Sequence, residues 1–583
     1  MLGAAVAMRA PRALFVGFAI AAVAVGVVLA VRRYWMCDDA FITFRYADNL
    51  VRGHGLVFNA GERVEGYTNP AWTVWCALGL RLGLSAEAWA GAWGLACFAA
   101  TLALLARRGW SIAHAAGVAW PLPAAAAFGA LHHEWTVFAT SGLETSAFTL
   151  LVFAGYLLVC PIAAGGTGTS TGAGDAATLR GAGLRRLALA GAVLALASLT
   201  RPDGVLFAAV CGVWLVAGRD VRGAAALAAG FAALWLPATV GRIAYYGDVF
   251  PNTYYAKSAG LAWWSQGGYY VWIYAARYWP LVLALPCAAL VRPRRAIVLE
   301  LALAAVYAVY VMRVGGDFMF GRLLIPITPL LLVALERGLV AVLGGHLVIR
   351  AGAIAALGTA LVVMPGAVDG RRRPRGIADE HHAYTVELAG WAERADTNGA
   401  TLAALFDGLP VSVCFFGAQA RLVYRSRVAT AIECETGLTD AAIAHQGLRE
   451  RGRIGHEKHA QLPYLLARKV DFVLTRDWAN EVLHLDDQLP DVPIELGRIR
   501  GRVITWDPQI MAALAARGVR TPDVPGQIDR YVAGMAGVPD ATVRRDWERF
   551  RRLYFDRVPD PAREAAFRAR LGTSPGRAGE APR

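Results

Sequence analysis

Long runs of apolar residues without a charged side chain constrain this chain more than any other feature. Ala13–Val31 is the clearest such run, and a helix that crosses a bilayer needs about 20 mostly apolar residues. Arg9 and Arg12 precede the run, so a signal peptide is the alternative. The run is longer than a usual signal core, and Tyr34-Trp35 follows it as an interfacial anchor would. The sequence therefore predicts a first spanning helix here.

Similar runs recur up to residue 365, and they predict about eleven spanning helices. One of them is expected at 112–131. Only 17% of the 583 residues are charged and 56% are hydrophobic, whereas a soluble chain has about a quarter charged residues. The deficit ends near residue 366. We therefore expect a transmembrane domain at 1–365, a soluble domain at 366–571 and a disordered tail at 572–583.

Basic residues predict the orientation, because Lys and Arg are enriched in cytoplasmic loops. With a cytoplasmic N-terminus, five inner loops carry the arginines, and Arg32-Arg33 is the exception. The inner arginines are Arg107, Arg108, Arg180, Arg185, Arg186, Arg219, Arg222, Arg292, Arg294, Arg295, Arg337 and Arg350. The soluble domain then lies outside, in the periplasm of a bacterial inner membrane. The net charge of +14 is explained by topology and by contact with anionic membrane lipid, so we expect no nucleic-acid partner.

The soluble domain mixes apolar strand-like runs with polar helices, which predicts an α/β or α+β fold. The strand-like runs are Leu402–Phe406, Val411–Phe416, Asp471–Thr475 and Val503–Trp506. The spacing of Cys414 and Cys434 permits a disulfide in this outer domain, but spacing alone does not set its geometry.

The first outer loop, residues 36–70, carries the strongest chemical signal. Asp38 and Asp39 directly follow the first span, at the depth where the phosphate of a lipid carrier would lie. A carboxylate there can act as a general base on a sugar hydroxyl or hold a divalent cation such as Mg²⁺ or Mn²⁺. The alternative is helix capping and solvation. Asp38 is expected to cap a surface helix that runs to Val51 and is stopped by Gly53.

Further polar residues lie at the other predicted outer boundaries, where polar groups are costly and tend to mark function. Arg201, Lys257 and Arg322 are the candidate cations for a phosphate, although Arg201 and Arg322 have alternative partners in Asp203 and Asp317. The remaining candidate substrate-binding residues are Arg45, Glu65, Tyr67, Asn69, Glu144, Asp203, Asp248, Asn252, Tyr254 and Asp317.

Other motifs carry less weight or are absent. His132-His133-Glu134 is too tightly spaced for a standard zinc site and favours an interfacial polar cluster. Glu300 and Arg277 lie inside apolar runs, so either they face a cavity or the span boundaries are misplaced. The chain has no Gly-Lys-Ser/Thr phosphate loop and no dinucleotide-binding glycine motif. This argues against a nucleotide-driven pump and favours a lipid-linked donor.

The motif Asp-Asp-Ala-Phe-Ile-Thr-Phe-Arg-Tyr at 38–46 and the motif Gly-Glu-Arg-Val-Glu-Gly-Tyr-Thr-Asn-Pro at 61–70 resemble the terminal β-(1→2) arabinofuranosyltransferase B family. These are membrane glycosyltransferases of the GT-C superfamily. The resemblance extends to 141–145, 200–204, 246–257, 315–322, 436–440 and 452–458.

The resemblance implies a polyprenyl-phosphate donor, ordinarily of arabinofuranose, and a cell-envelope glycan acceptor at the periplasmic face. It implies Asp38 and Asp39 as catalytic candidates and an outer domain that binds glycan. Two alternatives remain open: a transporter or flippase of lipid-linked sugars, and a non-enzymatic regulatory membrane protein such as one acting on flagellar motors.

Overall fold

The computed structural model describes residues 9–160, 173–292, 295–364, 366, 368, 372–417, 419–475 and 477–572. The chain forms two compact units. The membrane unit comprises Met1–Leu56, Tyr67–Ala389 and Arg451–Ile454, and the sheet unit comprises Val57–Gly66, Gly390–Glu450 and Gly455–Arg583. Residues between the predicted boundary at 366 and Ala389 thus group with the membrane unit. The predicted tail lies outside the described residues, apart from Gly572.

The membrane unit is helical. Its first helices are α1 (Arg9–Arg32), α2 (Ala40–Val51), α3 (Pro70–Arg81), α4 (Ala86–Ala115), α5 (Ala124–Leu131), α6 (His133–Phe138), α7 (Thr145–Val159), α8 (Ala173–Thr200), α9 (Gly204–Ala217) and α10 (Val221–Tyr246). They are followed by α11 (Asn252–Ala256), α12 (Trp264–Arg277), α13 (Trp279–Val282), α14 (Ala284–Leu290), α15 (Arg295–Arg313), a 3₁₀ helix (Arg322–Ile327), α16 (Thr328–Leu343), α17 (Leu347–Val363) and α18 (Glu380–His382).

Within the described residues, five helices are long and apolar enough to cross a membrane: Ala10–Arg32, Ala86–Ala115, Gly183–Thr200, Val221–Tyr246 and Arg322–Leu343. The pair Trp264–Arg277 and Trp279–Leu290, bent by 98°, is a sixth if it forms one span. Three shorter apolar helices are Thr145–Val159, Gly204–Ala217 and Leu347–Val363. This is a multi-pass membrane architecture, and the number of about eleven spans stays a prediction.

The span predicted at 112–131 is wrong as one continuous helix. Helix α4 continues to Ala115, and the next helix begins only at Ala124. Gly117 adopts a positive φ of 68°, a conformation that glycine adopts without a Cβ penalty at helix ends. Pro121 and Pro123 then prevent the helix from continuing, because each lacks a backbone N–H.

The surface helix predicted after Asp38 is confirmed as α2, with Phe41 and Phe44 fully buried on one face. Its capping was predicted wrongly. Asp39, rather than Asp38, directly precedes the helix, and its side chain makes no capping hydrogen bond. The Asp39 carboxylate is therefore not committed to the helix terminus.

The sheet unit contains β1 (Ser412–Phe415), β2 (Thr430–Glu433), β3 (Phe472–Val473), β4 (Pro493–Leu496) and β5 (Ile499–Val503) in the order β2-β1-β3-β5-β4. Strand β1 pairs in parallel with both β2 and β3, and β5 pairs antiparallel with both β3 and β4. Its helices are α19 (Trp391–Phe406), α20 (Ala420–Ser426), α21 (Ala441–Ala444), α22 (Leu462–Ala467), α23 (Asp477–Leu483), α24 (Leu485–Gln488), α25 (Pro508–Ala516), α26 (Val524–Gly534), α27 (Asp540–Phe550) and α28 (Pro561–Leu571).

The strand expected at Leu402–Phe406 is wrong, because these residues end helix α19. Leu402 and Phe406 are both buried, and their spacing of four residues places them on one helical face. Cys414 and Cys434 form a disulfide with their Cα atoms 6.0 Å apart. Cys414 lies in β1 and Cys434 directly follows the neighbouring strand β2.

The segment Val57–Gly66 joins the sheet unit through a side chain. The Asn59 amide accepts a hydrogen bond from the Ala431 backbone N–H at 2.9 Å and donates to the Ala431 carbonyl at 3.0 Å. In this way a side-chain amide bonds a residue of β2 as a neighbouring strand would. Glu62 forms an ion pair with Arg468 in the same unit.

Candidate functional site

Asp38 and Asp39 lie between α1 and α2 in the membrane unit. Asp38 is buried and Asp39 is half-buried. The neighbouring backbone is fixed by a hydrogen bond of 2.9 Å from the Cys37 N–H to the Ser141 carbonyl. Burial raises the pKa of the Asp39 carboxyl, although Arg322 and Lys257 act in the opposite direction. A carboxylate with a raised pKa is a better proton acceptor once it is ionised.

Arg322 stands at the start of a 3₁₀ helix, facing Asp317 from the same loop. Its Nε lies 2.6 Å from Asp317 Oδ2, and both residues are buried. Gly316 has a φ of +76°, and a Cβ there would lie 2.6 Å from a ring atom of Tyr270. The loop can therefore take this close path only with glycine at that position.

Arg201 is held between two carboxylates. Its Nη1 lies 3.2 Å from Glu144 Oε1, and its Nη2 lies 2.9 Å from Asp203 Oδ2. Each carboxylate is anchored in turn: Asn69 donates to Glu144 at 3.0 Å, and the Tyr307 hydroxyl donates to Asp203 at 2.7 Å. Such a saturated guanidinium organises the site but has little capacity left for a ligand.

Lys257 differs from both arginines. It follows α11, and within the described part of the chain its side chain makes no hydrogen bond or ion pair. Its side chain is exposed, although protein surrounds it closely enough that burial lowers the pKa of its ammonium, with Asp317 opposing and Arg322 reinforcing the shift. A side chain that is both accessible and surrounded by protein stands in a cleft. Lys257 is therefore well placed to bind an anion.

The cleft cluster is defined here as Asp39, Lys257, Arg322 and Asp317, with the network Asn69, Glu144, Arg201, Asp203 and Tyr307 beside it. Arg322 is within electrostatic reach of Asp39, Glu144 and Arg201, so the two groups are contiguous. The alternative pairings of Arg201 with Asp203 and of Arg322 with Asp317 are both confirmed. Two of the three predicted phosphate-binding cations thus already have carboxylate partners.

Several predicted site residues have other roles in the structure. The Tyr67 hydroxyl hydrogen-bonds to that of Tyr246 at 2.9 Å, and Tyr246 donates to the Leu56 carbonyl at 2.7 Å. Arg45 is buried on α2, and burial lowers the pKa of its guanidinium to about 10. Glu65 is buried in the segment that belongs to the sheet unit.

The loop after α10 holds the remaining predicted residues. Asp248 accepts hydrogen bonds from the Tyr255 hydroxyl at 2.8 Å and from the Phe250 N–H at 3.1 Å. The Tyr254 ring stacks on Phe250 with the ring centres 4.4 Å apart. Asn252 is buried at the start of α11. The contacts of Asp248 and Tyr254 shape the loop that presents Lys257.

Sequence reasoning gave no site role to Glu380 or to Arg453, although Arg453 lies in the 452–458 stretch of the family resemblance. Their ion pair measures 3.0 Å, and the Arg453 guanidinium lies 4.6 Å from the centre of the Phe318 ring. Burial raises the pKa of Glu380 to about 7, with Asp39 and Asp317 adding to the rise and Arg453 opposing it. Both residues lie after the last predicted span, in the part of the sequence predicted to be the soluble domain. The signal that was available was the density of titratable residues at 379–382.

Two backbone hydrogen bonds fix the Glu380 segment. The Ala378 N–H donates to the Phe318 carbonyl at 2.8 Å, and the Phe320 N–H donates to the Ala378 carbonyl at 3.0 Å. Glu380 therefore belongs structurally to the Asp317–Arg322 loop. Among the described residues, no group of three or more His, Cys, Asp or Glu side chains could hold a metal ion, and the divalent cation stays a prediction.

The arrangement combines a proton acceptor, Asp39, with an accessible cation, Lys257, and a second cation, Arg322. Such a site can take a proton from a hydroxyl group while it stabilises negative charge on a phosphate. Both are requirements of group transfer from a phosphorylated donor.

Solved structures define the class of the fold. ArnT from Cupriavidus metallidurans in the apo state has a TM-score of 0.51 at 15% identity, covering 85% of this chain and 98% of that one. The same protein bound to undecaprenyl phosphate has a TM-score of 0.52 at 14% identity, covering 84% and 97%. The chain is thus a polytopic helical membrane protein with the predicted GT-C fold.

Sequence comparison gives more specific relatives, although no family model matches the chain. The terminal β-(1→2)-arabinofuranosyltransferase of Corynebacterium glutamicum is 33% identical over 327 residues, 52% of this chain and 47% of that protein. The enzyme of the same name from Mycobacterium tuberculosis is 32% identical over 355 residues, covering 54% and 53%. The predicted resemblance is confirmed. The chain spans about half the length of the curated relatives it matches.

Proposed function

We propose that this protein is a membrane glycosyltransferase that transfers a sugar, arabinofuranose, from a polyprenyl phosphate to a cell-envelope glycan. The observation that carries the proposal is that Asp39, which directly precedes α2, lies within electrostatic reach of both Lys257 and Arg322. A transferase with a phosphate leaving group needs a base to accept the proton of the acceptor hydroxyl on one side of the reacting carbon. It needs a cation to stabilise the leaving phosphate on the other side.

In the proposed reaction the Asp39 carboxylate accepts the proton of the acceptor hydroxyl. The acceptor oxygen forms a bond to the anomeric carbon, and the bond between that carbon and the phosphate oxygen breaks. The polyprenyl phosphate leaves with the electron pair and is stabilised by Lys257 and Arg322. Asp38, which is buried beside Asp39, positions the loop.

The network around Arg201 takes a different role in this proposal. Glu144 and Asp203 neutralise its guanidinium, so Arg201 holds the loops in place and is not the main phosphate ligand. Lys257 is the phosphate ligand of choice, because a compact ammonium on a flexible stem can follow the leaving group. Glu65, Tyr67 and Asn69 remain candidates for binding sugar hydroxyls.

The similarities support a lipid-linked donor in general terms, since one ArnT structure with this fold is bound to undecaprenyl phosphate. Arabinofuranose as the sugar rests on the names of the curated relatives. The inner membrane as location, with the sheet unit in the periplasm, rests on the distribution of arginines.

The test is transfer by the purified protein from a panel of polyprenyl-phosphate sugars, including decaprenylphosphoryl arabinofuranose. Asp38→Ala and Asp39→Ala are the test variants, and Asp48→Ala on helix α2, which pairs with Arg52, is the matched control. We expect transfer by wild type and control and its loss in Asp39→Ala. Folded protein that transfers from no donor, but moves labelled lipid between leaflets, would favour the flippase alternative instead.

A further inference from the structure

A groove runs along the membrane unit between α1 and α4, away from the cleft cluster. Its volume is 640 Å³ and its walls are almost entirely apolar. It extends on α1 from Arg12 to Val27, and on α4 it includes Ala103 and Trp110. Helix α1 starts near the groove's charged end, and its other end leads to Asp38. The charged end of the groove therefore lies at the opposite end of α1 from the candidate active site.

Two arginines close one end of this groove. Arg12 and Arg107 both line it and both are exposed. Neither side chain forms a hydrogen bond or an ion pair with another residue in the described part of the chain. Phe15 and Trp110 pack edge to face beside them, with ring centres 5.1 Å apart. The result is a pair of unneutralised cations directly above an apolar trough.

The dimensions fit one lipid chain. From Arg12 to Val27 a helix rises about 22 Å, which exceeds half of the roughly 30 Å hydrocarbon core. A chain anchored at the level of Arg12 would therefore lie in the groove from the headgroup region to the bilayer midplane. A polyprenyl chain of many isoprene units is far longer than this groove.

We propose that the groove is a binding site for an anionic glycerophospholipid. Its phosphate is bound by Arg12 and Arg107, and one acyl chain lies between α1 and α4. Small side chains such as Ala19 and Ala103 leave the room for that chain, and the arginines supply the headgroup selectivity, since guanidinium bonds phosphate oxygens in pairs. The site is independent of the proposed transfer reaction.

Native mass spectrometry of the full chain in neutral detergent tests the charge requirement. Phosphatidylglycerol is titrated into wild type, into Arg12→Gln/Arg107→Gln, and into Arg219→Gln/Arg222→Gln, which removes two exposed arginines at the ends of α9 and α10. We expect one tightly retained phosphatidylglycerol in wild type and in the control. The double variant at the groove should bind at least about tenfold more weakly, because each basic residue near a membrane surface contributes about 1 kcal/mol.

A second variant tests the groove itself. Ala103 is exposed, so Ala103→Trp fills the groove without disturbing the core and leaves both arginines in place. This variant should also lose the retained lipid, and its Tm should stay within a few degrees of wild type. Equal binding by wild type and both groove variants would overturn the proposal. So would an equal loss in the control pair, which would indicate unspecific charge attraction, or displacement of phosphatidylglycerol by equimolar decaprenyl phosphate.

Discussion

Two clusters of buried charge in the described part of the membrane unit differ in whether they leave a cation accessible to a ligand. The second cluster surrounds Glu300, which is fully buried. Arg337 Nε lies 2.9 and 3.2 Å from its two carboxylate oxygens, the Tyr156 hydroxyl donates to it, and Arg108 donates to Tyr156 at 3.2 Å. These side chains come from four helices: α15, α16, α7 and α4.

The cleft cluster uses the same residue types but leaves Lys257 accessible and without such a partner in the described structure. Around Glu300 the hydrogen bonds of Arg337, Tyr156 and Arg108 join side chains from four helices, so this cluster ties helices together. The comparison indicates that a cluster of buried charges marks a ligand site only when one of its charged side chains remains accessible to a ligand. The following predictions test this distinction between an open and a closed cluster.

The largest effect is expected from Asp39→Asn. An amide cannot accept the proton of the acceptor, so the transfer rate should fall by about 10²- to 10⁴-fold. Stability should not fall, because the folded-state pKa of Asp39 is raised and its ionised form therefore disfavours folding at neutral pH. Transfer kinetics and thermal unfolding of the same sample give both quantities. If Asp39→Asn instead lowered the unfolding temperature, Asp39 would have a structural role in place of the catalytic one.

Glu300→Met should show the opposite pattern. It leaves Arg337 buried without its carboxylate, and breaking a buried ion pair costs about 3–5 kcal/mol. The double variant Glu300→Met/Arg337→Met should recover most of this loss, because the Glu300–Arg337 ion pair is then removed as a whole. Unfolding in detergent measures the three variants. Wild-type stability in Glu300→Met together with lost transfer would show that the closed cluster has a functional role.

Lys257→Ala should weaken donor use without affecting the fold. Loss of a charge-assisted hydrogen bond of about 1.5–3 kcal/mol corresponds to a roughly 10- to 150-fold lower kcat/KM for the lipid donor. Lys257→Arg should retain much of the activity. If Lys257→Ala kept the full kcat/KM while Arg201→Ala abolished it in a folded protein, the assignment of the phosphate ligand would have to be reversed.

The smallest effect concerns Glu380. Its pKa of about 7 lies above the usual value of a carboxyl group, so its protonated form stabilises the fold. That contribution is complete below the unfolded-state pKa and is lost as the pH rises towards 7. Glu380→Gln should therefore reduce the stability difference between pH 5 and pH 8 by about 2 kcal/mol. Glu387→Gln, at an exposed ion pair with Arg373, should leave it unchanged.

The sequence was sufficient for the parts of the site that lie in short motifs between apolar runs. Asp39, Lys257, Arg322 and Asp317 are all found this way, because polar residues beside spans are rare enough to be conspicuous. The helical membrane fold and the separate domain with a sheet are predicted for the same reason, since composition changes sharply along the chain.

What escaped prediction depends on long-range pairing. Arg453 reaches Glu380 from a four-residue stretch of the membrane unit that is flanked on both sides by sheet-unit sequence. No local pattern signals such an excursion. Of the two carboxylates that pair with Arg201, only Asp203 could be proposed as its partner, because Glu144 lies far from Arg201 in sequence and becomes its neighbour through helix packing alone.

The bond between Asn59 and Ala431 bears on how this polypeptide can be divided. The ten-residue segment 57–66 supplies a side-chain amide that bonds strand β2, and the two bonded residues are 372 positions apart in the sequence. A fragment that begins at Gly390 would leave the Ala431 peptide group without that amide. Independent production of the carboxy-terminal third would therefore call for co-expression with, or grafting of, the 57–66 peptide.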